Sequence, residues 1–460
     1  MGGTAMRLRL FMLPHMASLP PALRRTSILT VTGLMMAAAA PLASDPSAAL
    51  RGPLTPMGAE RAGNSDGTIP AWTGAVTPAD PAGSETPTLV IDHANFTRYA
   101  ARLPEGARAL FAKFPDYKMR VFPTHRTAVA PARVYANIAA NASRAAAAAE
   151  GIAVGVAGAA GGIPFPLPHN GTEIVWNHLL AFWGAAREAQ LGTYVASGDG
   201  TIQQTAGYRE ITDFPYYDPR ATPETVGAYY FKTRRSQTAP PARVGEAYIA
   251  WQPLNTAHSR YVAWRYLPGE HRVRKAPSLS YDTPDADASG YEELDDYYLF
   301  FGGPDRYDFH NLGKREMYVP YNNDRANAAE PRAVMGPLHA NQEVLRYELH
   351  RVWEVEGTLA AGKHHVAPRR RLFIDEDTWL VVYSEAWDED GKLWKFGQAT
   401  MTLRPEIPAV ITGAQFMYDL LQGGYCYDFT FGGAGGFYRV TDMHRPEVFD
   451  ADALAAEALR

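Results

Sequence analysis

Cysteine is nearly absent: Cys426 is the only one in 460 residues. Intrachain disulfides and cysteine-based metal clusters are therefore excluded. No cysteine follows the N-terminal apolar stretch, so lipid attachment at a new N-terminal cysteine is excluded as well. Basic charge is also short, with 44 Lys and Arg against 49 Asp and Glu, which argues against a nucleic-acid partner, since that needs a basic footprint. Beyond the first 43 residues no apolar run is long enough to span a bilayer, which takes about 20 residues. No repeat of fixed period is visible.

The nucleotide and hydrolase signatures also fail. Gly155, Gly158 and Gly161 do not make a G-x-G-x-x-G fingerprint. Gly63-Asn64-Ser65-Asp66-Gly67 matches the letters of a nucleophile elbow, but Ala59-Glu60-Arg61-Ala62 before it is no hydrophobic strand and Ile69-Pro70 after it opens no helix. His364 and His365 are adjacent, so on a strand they point to opposite faces. His178 reads as a packing or capping group. Glu292-Glu293 and Asp295-Asp296 read as a solvated acidic face, and Asp388-Glu389-Asp390-Gly391 as a hairpin turn without the later ligands of a calcium loop. The expectation is no catalytic residue, no metal and no cofactor.

What is present begins with an export signal. Arg7, Arg9, Arg24 and Arg25 precede an apolar stretch over 27–40, and no acid occurs before Asp45. A positive flank, a short apolar core and small residues near Ala43 mark a secretory signal peptide over 1–43. Its removal takes away four basic residues and leaves a mature net charge of −9. An exported chain with a large core and no disulfide suits a bacterial periplasm. Residues 44–92, rich in Pro, Gly, Ala, Ser and Thr, read as an extended arm. Residues 93–460 read as one large domain.

Within that domain the spacing predicts a helix over 104–114 and a second over 131–149. A loop is expected over 151–162, then an amphipathic helix over 172–183 capped at Asn170 or Thr172. Strand patterns follow at 200–214, 225–236, 243–251, 258–267, 345–356, 371–375, 378–387 and 393–403. Around 350, Tyr347, Leu349, Trp353 and Val355 alternate with Arg346, Glu348, His350, Glu354 and Glu356, the signature of a half-buried antiparallel strand. Asp375-Glu376-Asp377 is placed at a hairpin tip. The fold class is α+β: a large, curved antiparallel β-sheet, a half-open barrel, with helices packed on one face. Such a sheet encloses a cavity, and aromatic walls suit an apolar ligand. The candidate ligand-binding residues are Phe165, Trp176, Phe182, Trp251, Trp264, Trp353 and Trp379, with Phe165 and the 172–183 helix as a lid or plug.

Several sequence blocks carry a resemblance. They are Leu54-Thr55-Pro56-Met57-Gly58-Ala59-Glu60-Arg61-Ala62-Gly63-Asn64, Gly162-Ile163-Pro164-Phe165-Pro166, Trp176-Asn177-His178, Lys314-Arg315-Glu316-Met317-Tyr318-Val319-Pro320-Tyr321-Asn322-Asn323, Arg346-Tyr347-Glu348-Leu349-His350-Arg351-Val352-Trp353 and Ile374-Asp375-Glu376-Asp377-Thr378-Trp379. In this order they resemble domain of unknown function 1329. The resemblance implies an exported proteobacterial protein with a fold similar to the Lol lipoprotein-sorting carriers, which hold acyl chains in a half-open barrel. It further implies hydrophobic or lipid cargo, an inner-membrane exporter of the resistance-nodulation-division type as partner, and peripheral contact with the envelope. A non-catalytic scaffold or accessory subunit of such an exporter is the alternative. The family supplies no catalytic residues to carry over.

Overall fold

The computed structural model describes residues 46–80, 83–276 and 281–458. The signal peptide expected at 1–43 lies outside them. Residues Asp45–Arg460 make one compact unit.

Its strands are β1 (Leu89–Asp92), β2 (Lys118–Val121), β3 (Ala146–Ala148), β4 (Gly151–Ala157), β5 (Ala186–Ala196), β6 (Ile202–Asp213), β7 (Tyr229–Ala239), β8 (Ala247–Pro253) and β9 (Val262–Leu267). They continue with β10 (Arg272–Lys275), β11 (Tyr307–Pro320), β12 (Tyr347–Leu359), β13 (Arg369–Asp375), β14 (Val381–Trp387), β15 (Leu393–Arg404), β16 (Ala409–Asp419), β17 (Tyr425–Thr430) and β18 (Phe437–Thr441). The helices are α1 (Ala48–Arg51), α2 (Glu105–Lys113), α3 (Ala132–Arg144), α4 (Gly171–Leu179), α5 (Asp324–Ala328), α6 (Pro331–Val334) and α7 (Ala451–Ala458).

Sixteen strands form one sheet in the order β1-β2-β12-β13-β14-β15-β16-β17-β5-β6-β7-β8-β9-β10, with β11 beside β12 and β18 beside β5. The pairing is antiparallel apart from one parallel bridge between Tyr347 and Val121. β1 and β10 end the path without meeting, so this curved sheet stays unclosed. The α+β expectation of one large curved sheet with packed helices is what the chain forms.

Several local expectations need correction. The helix expected over 131–149 ends at Arg144, and β3 follows it. The Gly/Ala-rich segment expected as a loop over 151–162 begins as β4, paired with β3. Ile152, Val154 and Val156 alternate there at strand spacing, a pattern masked by the intervening Gly and Ala. Gly155 bridges Asn255 closely, and a Cβ on it would lie 3.0 Å from that residue. Helix α4 is capped as expected, with Asn170 Oδ1 accepting from Glu173 N at 2.9 Å. It is not amphipathic, however, since all but one of its residues are buried, and it ends at Leu179, before Phe182 and Trp183. The polar face of β12 is not solvated either. Glu348 and His350 are fully buried, because the 44–92 segment and the 122–130 stretch cover that face: His125 N donates to Glu348 Oε2 at 2.7 Å. A strand buried on both faces can alternate only if each buried charge is paired.

Register defines one continuous inner face across the middle of the sheet. It carries Arg370 on β13, Ser384 on β14, Lys395 and Gly397 on β15, Gln415 on β16, and Cys426 and Asp428 on β17. It continues through Arg187 and Thr193 on β5, Tyr208 and Glu210 on β6, Arg235 and Gln237 on β7, and Tyr248 and Ala250 on β8. On the opposite face of β14–β17, Tyr383, Phe396, Tyr418 and Phe416 form an aromatic ladder with neighbouring centroids 5.5–6.3 Å apart, and α2 packs over Phe396.

Candidate functional site

The inner face is crossed by residues 281–301, whose Glu292-Glu293 and Asp295-Asp296 pairs were expected to be a solvated acidic face. They are the reverse: Glu292, Glu293, Asp295 and Asp296 are all buried. Each acid meets a cation or donor on the sheet. Arg370 bridges Asp295 Oδ1 at 2.9 Å and Asp296 Oδ1 at 2.6 Å. Lys395 pairs with Glu293 and also with Asp296, the latter at 3.3 Å. His365 Nε2 lies 3.0 Å from Asp295 Oδ2, which gives that histidine a structural role. Farther along, Arg187 contacts Glu210 at 2.6 Å and the Tyr298 hydroxyl at 2.5 Å. These acids are thus paired across the interface, which buried ions require. The fit also needs special backbone. Tyr298 and Leu299 have φ of +53° and +67°, a left-handed region costly for such side chains. Opposite them, a Cβ on Gly397 would lie 2.6 Å from Leu299 Cδ2. The 281–301 segment is thus an internal strut that fills the concave face over β13–β17.

Over β7–β9 the strut stands off part of the sheet, while still touching β7 at Gln237 and Phe231. A cavity of about 380 Å³ remains between Phe231, Ala250 and Ala263 on one side and Tyr281, Leu294, Tyr297 and Phe301 on the other. That volume lies at the lower end of small-molecule sites, about 300–1,000 Å³. Its aromatic lining (Phe231, Tyr248, Tyr261, Tyr281, Tyr297, Tyr298, Phe301) is interrupted by a polar sector of Arg243, Glu246, Asp285 and Asp287. There Gln237 Nε2 donates to both oxygens of Asp287 at 2.9 and 3.0 Å, and the Tyr297 hydroxyl donates to Asp285 at 3.1 Å. Burial, with Asp287 and Asp428 nearby, raises the Asp285 pKa to about 7.

The seven candidate aromatics are not gathered around this cavity. Trp264 alone borders it. Its indole meets Trp251 edge-on at 5.1 Å, and both pack with Ile249, Tyr266 and Leu454 of α7, residues that alternate with the cavity-lining Tyr248, Ala250 and Ala263. Trp353 and Trp379 stack at 6.1 Å and fasten the N-terminal segment: Trp379 Nε1 donates to Met57 O at 2.8 Å, while Lys314 sits over Trp353. Phe165 is held by Asn177, which bonds its N–H at 2.9 Å and its carbonyl at 2.6 Å. Trp176 Nε1 donates to Ile152 O, and Phe182 packs on Tyr217.

The plug expected from the 172–183 helix is a second layer behind the cavity wall. His178, Leu179 and Trp183 border a small void of about 20 Å³ together with Phe231, Tyr298 and Phe301, which also line the main cavity. His178 is buried and bonded to three backbone groups, at Phe300 O, Trp379 O and Val381 N. Burial lowers its pKa to about 4. Neutral His178 therefore donates from Nε2 to Phe300 O at 3.0 Å and accepts at Nδ1 from Val381 N at 3.2 Å.

The Asp375-Glu376-Asp377 tip is likewise buried. Arg126 bridges Asp377 at 2.6 and 2.8 Å and donates to Glu60 O at 2.7 Å, and Lys314 reaches Glu376 at 2.7 Å. The 54–64, 314–323, 346–353 and 374–379 blocks thus converge on a single clamp that binds the N-terminal segment to the sheet. A family model described as a protein of unknown function, DUF1329, matches residues 90–460. This chain belongs to that family. A relative from Pseudomonas aeruginosa, the uncharacterized protein PA3922, is 33% identical over 422 residues, covering 88% of this chain and 91% of the relative. Among solved structures, a DUF1329 family protein from Desulfovibrio piger aligns over 61% of this chain and 96% of its own, with 12% identity and a TM-score of 0.43. A putative outer membrane lipoprotein-sorting protein domain from Vibrio parahaemolyticus aligns over 62% and 97%, with 14% identity and a TM-score of 0.43.

Proposed function

We propose that this DUF1329 protein is an exported, non-catalytic binding protein that shelters an apolar small molecule or lipid segment between β7–β9 and the strut. The observation that carries this reading is the aromatic-lined cavity of about 380 Å³, left in a sheet otherwise filled by its own chain. Burying a methylene there is worth about 0.8 kcal/mol, so even a short alkyl or fused-ring group gains substantially. The polar sector at Arg243, Glu246 and Asp285 would orient one polar group of such a ligand. Binding rather than chemistry is favoured because the described lining residues include no serine, histidine or cysteine to act as a nucleophile–base pair. No helix among the described residues is long and apolar enough to cross a membrane. A periplasmic location, in peripheral contact with the envelope and passing cargo to or from an inner-membrane exporter, is part of the proposal and rests on the N-terminal Arg-plus-apolar segment and the family resemblance.

The test fills the cavity. Ala250→Phe and Ala263→Phe, made singly, are expected to abolish uptake of the fluorescent apolar probe N-phenyl-1-naphthylamine while leaving the melting temperature near that of the parent. Undiminished uptake in both variants would refute the site. A scaffold role remains the second reading, favoured by one feature: the strut already fills the inner face over β13–β17.

A further inference from the structure

Where the strut meets β16 and β17, three acids converge with no direct ion pair among the described residues, although the Arg235 guanidinium acts on Asp285 and Asp428 from farther off. One oxygen from each of Asp285, Glu292 and Asp428 lies within 4.8 Å of the others, and all three residues are buried. Asp287, Glu293, Asp295 and Asp296 of the strut each pair with an Arg or Lys, and this cluster departs from that pattern. Glu292 Oε1 accepts from Gln415 Nε2 at 2.7 Å and from Cys426 Sγ at 3.0 Å. Asp428 Oδ1 accepts from Thr193 at 2.5 Å and from the Tyr208 hydroxyl at 3.3 Å. The other oxygen of each, Glu292 Oε2 and Asp428 Oδ2, has no partner. A third bare acceptor belongs to Gln415, the register neighbour of Asp428 on β16. Gln415 is fully buried, and its amide nitrogen is committed to Glu292 and to Asp296 O, which leaves Oε1 unpartnered.

Three buried oxygen acceptors in one place need either protons or a cation, because an unmatched buried acceptor costs about 1–3 kcal/mol and a buried charge more. Oxygens this close can share one ion, since two on opposite sides of Ca²⁺ at about 2.4 Å each stand at most about 4.8 Å apart. The donor set of three carboxylates and one amide carbonyl is hard and all oxygen, which selects Ca²⁺ or Mn²⁺ over thiophilic metals. Asp285 also lines the cavity, which gives an ion a route in.

We propose that Asp285, Glu292 and Asp428, with Gln415 Oε1, form a divalent-cation site that pins the strut to β16 and β17 at the inner end of the cavity. This site does not depend on the cargo reading.

The test uses the mature chain, stripped with EGTA and dialysed against CaCl₂ or MnCl₂. Elemental analysis is expected to find one equivalent of metal, and the melting temperature is expected to rise on metal addition. Glu292→Gln and Asp428→Asn are near-isosteric and neutralise buried charge, so they are expected to fold, to lose the metal and to lose the metal-dependent shift. Absence of metal and of any shift in the parent would overturn the proposal and assign protons to the cluster. Stoichiometric metal persisting in both variants would overturn the assignment to these residues.

Discussion

Replacing Arg370 tests whether the strut is held by charge. Arg370→Met keeps the length of the side chain but removes the guanidinium that bonds Asp295 at 2.9 Å, Asp296 at 2.6 Å and the Tyr307 hydroxyl at 2.9 Å. Arg370 is only 2% exposed, and the two carboxylates are equally hidden, so water cannot replace the lost partner. Removing one member of a buried pair typically costs about 3–5 kcal/mol. Lys395, 3.3 Å from Asp296, offsets part of that, so the lower end is expected. The assay is urea unfolding followed by both tryptophan fluorescence and far-UV circular dichroism, since a chain of this size has to be checked for intermediates. Asp295→Asn with Asp296→Asn in the Arg370→Met background should recover much of the loss, because it removes the stranded charges. The pH dependence has a definite sign. Against the penalty of burial, Arg370 and Lys395 hold Asp296 well below its usual value of 3.8. The stability of that pair is complete above this value and declines as pH falls below it, so parent and variant should converge only in strong acid. A loss under about 1 kcal/mol at neutral pH, or no recovery in the triple variant, would refute an electrostatically held strut.

His178→Ala should cost about 2–5 kcal/mol in the same assay by orphaning Phe300 O and Val381 N–H, and a cost below about 1 would contradict the staple between α4 and β14. The same histidine has its pKa lowered from 6.5 to about 4 by burial. The parent should therefore lose stability as pH falls from 6.5 toward 4, by an amount that His178→Gln does not show. Glu385 is buried with its pKa raised to about 7, so its contribution is favourable in acid and is lost as pH rises from 4.5 to 7. Glu385→Gln keeps the acceptor for Gly106 N–H and should unfold at a higher urea concentration than the parent at pH 8 but at the same one at pH 5. A lower midpoint at pH 8 would sink that reading.

Much of the fold could be read in the sequence because period-2 patterns and turn residues report local geometry. β6 and β12–β15 fall within three residues of their expected limits, β7–β9 begin four residues late, and α2 falls within one residue of its own. What escaped was set by long-range burial. The acids at 292–296 look like surface because their partners Arg370 and Lys395 lie 74 and 102 residues away, and composition carries no record of that pairing. Tryptophan identity was informative for core but not for the cavity. Trp353 and Trp379 serve the N-terminal clamp, Trp251 and Trp264 the outer face, and the cavity itself is walled by Phe, Tyr and Ala. A hint lay in the 281–301 stretch, where tyrosines and phenylalanines are interleaved with acids. Such aromatics are hard to leave in water.

The claim that this protein carries an apolar ligand is tested most directly on mature protein purified from the native envelope without detergent. Its solvent extract would be analysed by mass spectrometry, with the Ala250→Phe variant purified alongside. A recurring apolar molecule near stoichiometry in the parent, and absent from the variant, is the expected result. A parent extract that stays clean, even after incubation with envelope lipids, would contradict the claim.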